Sequence, residues 1–233
     1  MKRLVHVLPR GEAVLPLLLI ALLVLMFVAW PLAEIGVIER PLVGMLLVIV
    51  FLCALLTLGG SGRFAVPTIV LGLLLFALQM IATTAPSLLL SVAAEGVACL
   101  FLLLLCTVLL IGVFAPGRIS VNRIIGGVVV YLLIAVLFSL LFDIVERFAP
   151  HAFNVGSASA APAAAPGGAR FFYLSVITLS SVGFGDVAPV HPIARSLVMV
   201  EAVLGQIYTT VLLARLVSLE TVQRDRGPHG SSG

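Results

Sequence analysis

Charge is scarce in this chain. Only 10% of its 233 residues are Asp, Glu, Lys or Arg, against roughly 25% in a soluble domain. The hydrophobic share is 62%. A soluble fold of this size cannot hide that much apolar surface and stay monodisperse, and a disordered regulator needs the opposite composition. Both classes are excluded, and a polytopic membrane protein remains. Cysteine is also sparse. Cys53, Cys99 and Cys106 each lie inside an apolar stretch, with no C-x-x-C and no partnered histidine, and read as small buried hydrophobes. The four histidines are scattered, which gives a metal site little support. The formal charge is +3. In a membrane protein that excess speaks to orientation, not to nucleic acid as a partner.

What is present is a series of long apolar runs. A helical span needs ~20 mainly apolar residues, and six runs approach or exceed that length: Val14 to Trp30, Leu42 to Leu58, Phe64 to Ala82, Leu88 to Phe114, Ile124 to Phe142, and Ile193 to Leu216. The first follows a basic start, as a signal peptide does. It is longer than a typical apolar signal core and no small-x-small cleavage site follows Trp30-Pro31, so it reads as a retained span. A shorter apolar stretch, Phe171 to Leu179, lies between the last two runs. It is too short to cross a bilayer and reads as a re-entrant helix.

Lys2, Arg3, Arg10, Arg63, Arg118, Arg123, Arg215, Arg224 and Arg226 fall on one side of this six-span layout, and Arg40, Arg147, Arg170 and Arg195 on the other. That bias puts both termini in the cytoplasm. Residues 154–168 are rich in Ala, Ser, Pro and Gly and read as a flexible extracellular loop. The end of the chain, including its final H-G-S-S-G, is a short polar tail to which no function is assigned.

Ser180 to Asp186 read S-S-V-G-F-G-D. Non-helical backbone is tolerated at membrane depth only where it is buried in protein or lines water. Gly183 and Gly185 permit left-handed or extended backbone that other residues resist. A strand of this kind can turn successive carbonyls to one side, and a ring of carbonyls can replace the hydration shell of a small cation. Asp186 follows at the outer end, where it attracts cations. The preceding short helix ends just before the strand, so its negative C-terminal end points at the same ions.

The run T-L-S-S-V-G-F-G-D, Thr178 to Asp186, resembles the signature of the potassium channels, T-x-T-T-V-G-Y-G-D. Pro189 and Arg195 stand where that family often has a proline and an arginine, and Gly205 where many members carry a hinge glycine in the inner helix. The resemblance is specific over Phe171 to Gln206 and looser over about 121–217. In the first four spans only the number resembles the six-span channels. The resemblance implies that Ser181, Val182, Gly183, Phe184 and Gly185 form the selectivity filter, with potassium ions held at Ser181, Val182, Gly183 and Phe184. It places Asp186 at the outer mouth and makes Gly205 the gating hinge. Ser181 keeps the hydroxyl of the family's threonine and loses its methyl. Phe184 loses a phenol behind the filter but no conducting oxygen. Where some members have a bracing carboxylate, this chain has Ile177. One strand per chain implies a homotetramer.

Beside the resemblance stand several residues read for themselves. Glu201 lies inside the sixth span, where an ionisable group is a functional candidate by default. It is expected either to support the filter from behind, through Ser180 or Thr178, or to meet water or Arg195. Gln206, Thr209, Thr210 and Leu213 recur at helical spacing and suit either a polar inner cavity or helix–helix hydrogen bonds. Glu95, in the fourth span, has no evident cationic partner. That span contains no Arg and no Lys, so the arginine ladder of a voltage sensor is missing.

The expectation is thus an all-α integral membrane protein of six transmembrane helices with a re-entrant pore helix and filter strand. Residues 1–117 form a four-span peripheral domain, 118–219 the pore domain, and 220–233 a short cytoplasmic tail. The expected function is a tetrameric potassium-selective channel without strong voltage gating. It is not an enzyme, needs no cofactor beyond permeant potassium, and sits in the lipid bilayer of the plasma membrane, or of the inner membrane in a prokaryote. The rivals are a non-selective cation channel and a non-conducting membrane subunit. A secondary transporter would need paired broken helices in two halves, and one Gly-interrupted hairpin is found.

Overall fold

The computed structural model of the chain describes residues 14–29, 31–32, 62–84, 87–115, 121–155 and 167–225. Helix α1 spans Val14–Val24 and widens into a π-helical stretch, Leu25–Ala29. Helices α2 (Gly62–Thr84), α3 (Leu88–Val113) and α4 (Val121–Phe148) follow. Strand β1 (Phe153–Val155), helix α5 (Gly167–Leu179), strand β2 (Val187–Pro189) and helix α6 (Pro192–Asp225) complete the order. Among the described residues, three helices are long and apolar enough to cross a membrane: Leu88–Val113, Val121–Phe148 and Pro192–Arg215. Leu15–Ala29, Val66–Leu78 and Ala169–Leu179 are shorter apolar helices. The expected run Leu42 to Leu58 lies outside the described residues, as does Cys53.

Local chemistry sets the helix ends. Ser87 has extended backbone and its hydroxyl accepts from the Leu90 N–H at 3.2 Å, an N-cap for α3. Pro192 opens α6 at a position where a missing N–H costs nothing. Helix α6 continues past Leu216 to Asp225, so the first residues of the expected tail are helical.

Helix α4 is the hub. It packs against α1, α3, α5 and α6, while α2 leans on α3. Leu15, Leu18 and Leu22 of α1 meet Leu105 and Val108 of α3 and Val129 and Leu133 of α4 in one core. A second core, at the other end of α4, is aromatic. Phe142 is fully buried, with ring centroids 5.3 Å from Phe153 and 6.5 Å from Phe171, and those two lie 4.9 Å apart. Helix α6 is the reverse of α4: little of its apolar stretch is buried within the chain, whereas α4 is largely enclosed.

Two expectations change at the C-terminal end of α4. The loop expected at 154–168 begins with structure, since Asn154 and Val155 belong to β1, which pairs antiparallel with β2 in the register Phe153 to Pro189. At its other end, Gly167 and Gly168 already belong to α5. Phe153 anchors the strand in the aromatic core, and its partner strand is more than thirty residues away, beyond the reach of local pattern. The Glu146 carboxylate accepts from the N–H groups of His151 and Phe153, both at 3.2 Å, and so caps the turn between α4 and β1. Glu95, for which the sequence offered no partner, has one: Arg147 Nη2 lies 2.8 Å from Glu95 Oε1 and 2.7 Å from Asp143 Oδ2. The pair ties α3 to α4, and it gives one oxygen of a carboxylate that would be expensive alone in the membrane a cationic partner, while Oε2 is left without a hydrogen bond.

Phe142→Ala is expected to lower stability by about 3–5 kcal/mol, the range for emptying an aromatic site in a packed core. Thermal unfolding in detergent measures it, and an unchanged midpoint would mean that the aromatic cluster does not anchor the C-terminal end of α4.

Candidate functional site

Helix α5 is short and almost wholly enclosed. Phe171, Phe172, Leu174, Ser175, Ile177, Thr178 and Leu179 are all buried. A buried hydroxyl must find partners, and Ser175 Oγ has two: it donates to the Ala135 carbonyl of α4 at 2.8 Å and makes a short contact with Glu201 Oε1 of α6. Glu201 is 0% exposed, and its second oxygen has no partner. It therefore meets neither water nor Arg195, whose guanidinium reaches the Pro189 carbonyl instead. Its partner is Ser175, not Ser180 or Thr178. Ser180 Oγ turns back to the Val176 carbonyl at 2.7 Å. Residue spacing could not choose among three hydroxyl residues on or just after one short helix.

After Leu179 the helix stops and the chain reverses. The Ser181 N–H bonds to the Thr178 carbonyl at 2.9 Å, and the Ile177 carbonyl accepts from Val182 N–H at 2.8 Å and Gly183 N–H at 3.1 Å. From there the backbone alternates in hand: φ is 58° at Ser181, 53° at Gly183 and 79° at Gly185. In an ordinary strand successive carbonyls point to opposite faces. Left-handed backbone at every second residue breaks that alternation and lets neighbouring carbonyls share a side. The glycines adopt it at no steric cost. Ser181 was not expected to do so, because its side chain gives no such signal, and the cost for a residue with a Cβ is about 1–2 kcal/mol. Val182 and Phe184 are 53% and 70% exposed and pack against no core of their own chain. Asp186 follows, half-buried, with Oδ1 unpartnered.

Helix α6 backs this segment. A Cβ placed on Gly205 would collide with the Leu179 carbonyl, so glycine is what lets α6 touch the C-terminal end of α5. The helix runs unbroken through Gly205. Gln206 Nε2 donates to Ser181 Oγ at 2.6 Å. Thr209 Oγ1 bonds back to the Gly205 carbonyl at 2.8 Å, within its own helix, while Thr210 and Leu213 are exposed on the open side. Sequence reasoning brought no attention to Tyr208, whose hydroxyl donates to the Gly127 carbonyl of α4 at 2.7 Å. Nor did it single out Arg215 beyond its charge. The guanidinium donates to the carbonyls of Phe114 and Ala115 at the end of α3, the latter at 3.0 Å, and lies 4.9 Å from the Phe114 ring centroid. The signal was present: Glu201, Gly205, Tyr208, Leu212 and Arg215 share one helical stripe.

Among the described residues no group of three His, Cys, Asp or Glu side chains could hold a metal ion. Residues 166–221, covering α5, the reversed segment and most of α6, match a family model described as ion channel. Searches of curated proteins and of solved structures return no significant match. The family match and the three long apolar helices support an ion channel carried in a membrane.

Replacing glycine by alanine inside a helix ordinarily adds up to ~1 kcal/mol of stability. At Gly205 the sign is expected to reverse, with a loss of about 1–3 kcal/mol as in other overpacked sites. Thermal unfolding of Gly205→Ala reports the sign, and a stabilised variant would refute the close-packing role.

Proposed function

We propose that the chain is the subunit of a homotetrameric potassium-selective channel. The observation that carries this reading is the alternation of left-handed backbone at Ser181, Gly183 and Gly185 on the open face of the fold. Four such segments around an axis would present stacked rings of carbonyls to a dehydrated cation. The same assembly would cover the exposed side of α6 and the irregular backbone of the segment, which lipid cannot satisfy. Ser181 to Gly185 act as the filter, α5 as the re-entrant pore helix and Asp186 as the outer charge. Gln206, Thr210 and Leu213 face the inner cavity, and the termini are cytoplasmic. Glu201 supports the filter through Ser175, which in turn is held by Ala135.

A non-selective cation channel is the second reading, and Phe184 favours it. Its ring is exposed and has no hydroxyl with which to brace the segment. Selectivity decides between the two. With potassium on one side of a planar bilayer and sodium on the other, the reversal potential is expected near the potassium equilibrium value. A reversal near zero would install the non-selective reading.

Gly183→Ala and Gly185→Ala are expected to abolish conduction while assembly persists. Neither added Cβ meets an atom of its own chain within 4 Å. The damage is thus conformational, about 1–2 kcal/mol per left-handed residue and repeated in every subunit. Normal flux through either variant would sink the filter assignment. Conductance is expected to vary weakly with voltage, because α3 carries no Arg or Lys between Leu88 and Val113. A steep conductance–voltage curve from the purified protein would contradict this.

A further inference from the structure

A side-chain hydrogen bond joins α6 to the inner end of the reversed segment: Gln206 Nε2 donates to Ser181 Oγ at 2.6 Å. Both residues are exposed on the open face of the chain, so this bond lies on the side that the proposed pore would use. Ser181 needs holding. Its φ of 58° is unfavourable for a residue with a Cβ, and its unbranched side chain has three staggered rotamers open to it. Its backbone is fixed from one side, by the N–H bond to the Thr178 carbonyl at 2.9 Å. Gln206 holds its hydroxyl from the other. Gln206 can reach because Gly205, its neighbour, lets α6 close on the Leu179 carbonyl.

We infer that Gln206 is a positioning residue for the innermost cation site, its amide holding the Ser181 hydroxyl oxygen where a permeating cation would meet it. This rests on the potassium-pore reading above. An oxygen that accepts one N–H keeps a second lone pair, which is free for the cation, and the hydroxyl proton turns away from it. In a tetramer four amide–hydroxyl pairs would ring the inner entrance of the filter. The arrangement gives Ser181 a fixed rotamer that serine alone does not supply.

The test uses the full chain in planar bilayers under potassium–sodium bi-ionic conditions. Gln206→Met keeps the length of the side chain and removes the donor. Gln206→Asn keeps the amide and withdraws it by one methylene. Each is expected to lower the potassium-to-sodium permeability ratio about fivefold, the factor an ordinary hydrogen bond supplies. The thermal midpoint and the tetramer are expected to stay near wild type, which a merely structural strut would not allow. In the Ser181→Ala background, Gln206→Met is expected to add nothing, since the two residues act as one unit. A wild-type ratio in Gln206→Asn or Gln206→Met overturns the inference and leaves the pore reading intact, and so does full additivity with Ser181→Ala. A wild-type protein that reverses near zero overturns the pore reading, and the inference falls with it.

Discussion

The approach of α6 to the end of α5 at Gly205 is the constraint on which the rest of the site depends. It is a contact between two backbones, made possible by a missing Cβ. Once the helices touch there, the neighbouring residues of α6 are placed. Glu201, one turn earlier, arrives beside Ser175, and Gln206, the next residue, arrives beside Ser181. Tyr208 reaches the Gly127 carbonyl of α4. A wider separation would strand Glu201, since its burial is complete and Ser175 is its hydrogen-bond partner. A lone buried carboxyl is among the most expensive features a membrane fold can carry. One small residue therefore governs the fate of several polar ones.

Helix α4 supplies the complementary half of this arrangement. It lends the Ala135 carbonyl to Ser175 and the Gly127 carbonyl to Tyr208, so backbone oxygens of α4 hold side chains of α5 and α6. The aromatic core of Phe142, Phe153 and Phe171 then fastens the C-terminal end of α4, the start of α5 and the strand between them. Support is thus concentrated on one side of the Ser180–Asp186 segment. The other side is open, with Val182 and Phe184 largely exposed. In a bilayer such a surface has two possible covers, lipid and protein. Lipid offers no hydrogen bond to irregular backbone, which is why the proposed tetramer, with water along its axis, suits this face.

Much of this was legible in the residue pattern. The long runs beginning at Leu88, Ile124 and Ile193 are helices, and the non-helical break falls where two glycines alternate. These are local signals, carried by composition and short spacing. What stayed hidden depends on partners distant in sequence. Glu95 and Arg147 are separated by about fifty residues, and β1 pairs with a strand that looks like part of a loop. Ser181 takes left-handed backbone because of the turn after α5, not because of its own side chain. The hydroxyl that meets Glu201 was not chosen correctly because Ser175, Thr178 and Ser180 offer the same chemistry within two turns. Only the crossing of α5 and α6 distinguishes them.

The C-terminal half of α6 shows how α3 connects to the site without a charge ladder. Helix α3 ends in carbonyls that no further turn can satisfy. Arg215 of α6 donates to two of them, and Arg123 of α4 shares the second at 2.8 Å. Cations at a helix C-terminus also meet the negative end of its dipole. The ends of α3, α4 and α6 are therefore clasped at one corner by two guanidinium groups. A displacement of the end of α6 relative to α3 has to give up those bonds, whereas the region around Gly205 is held by separate contacts to α5 and α4. Helix α3 is thus coupled to α6 through its terminal backbone carbonyls and the Arg215 guanidinium at their shared corner. That coupling does not require α3 to carry charge across the membrane.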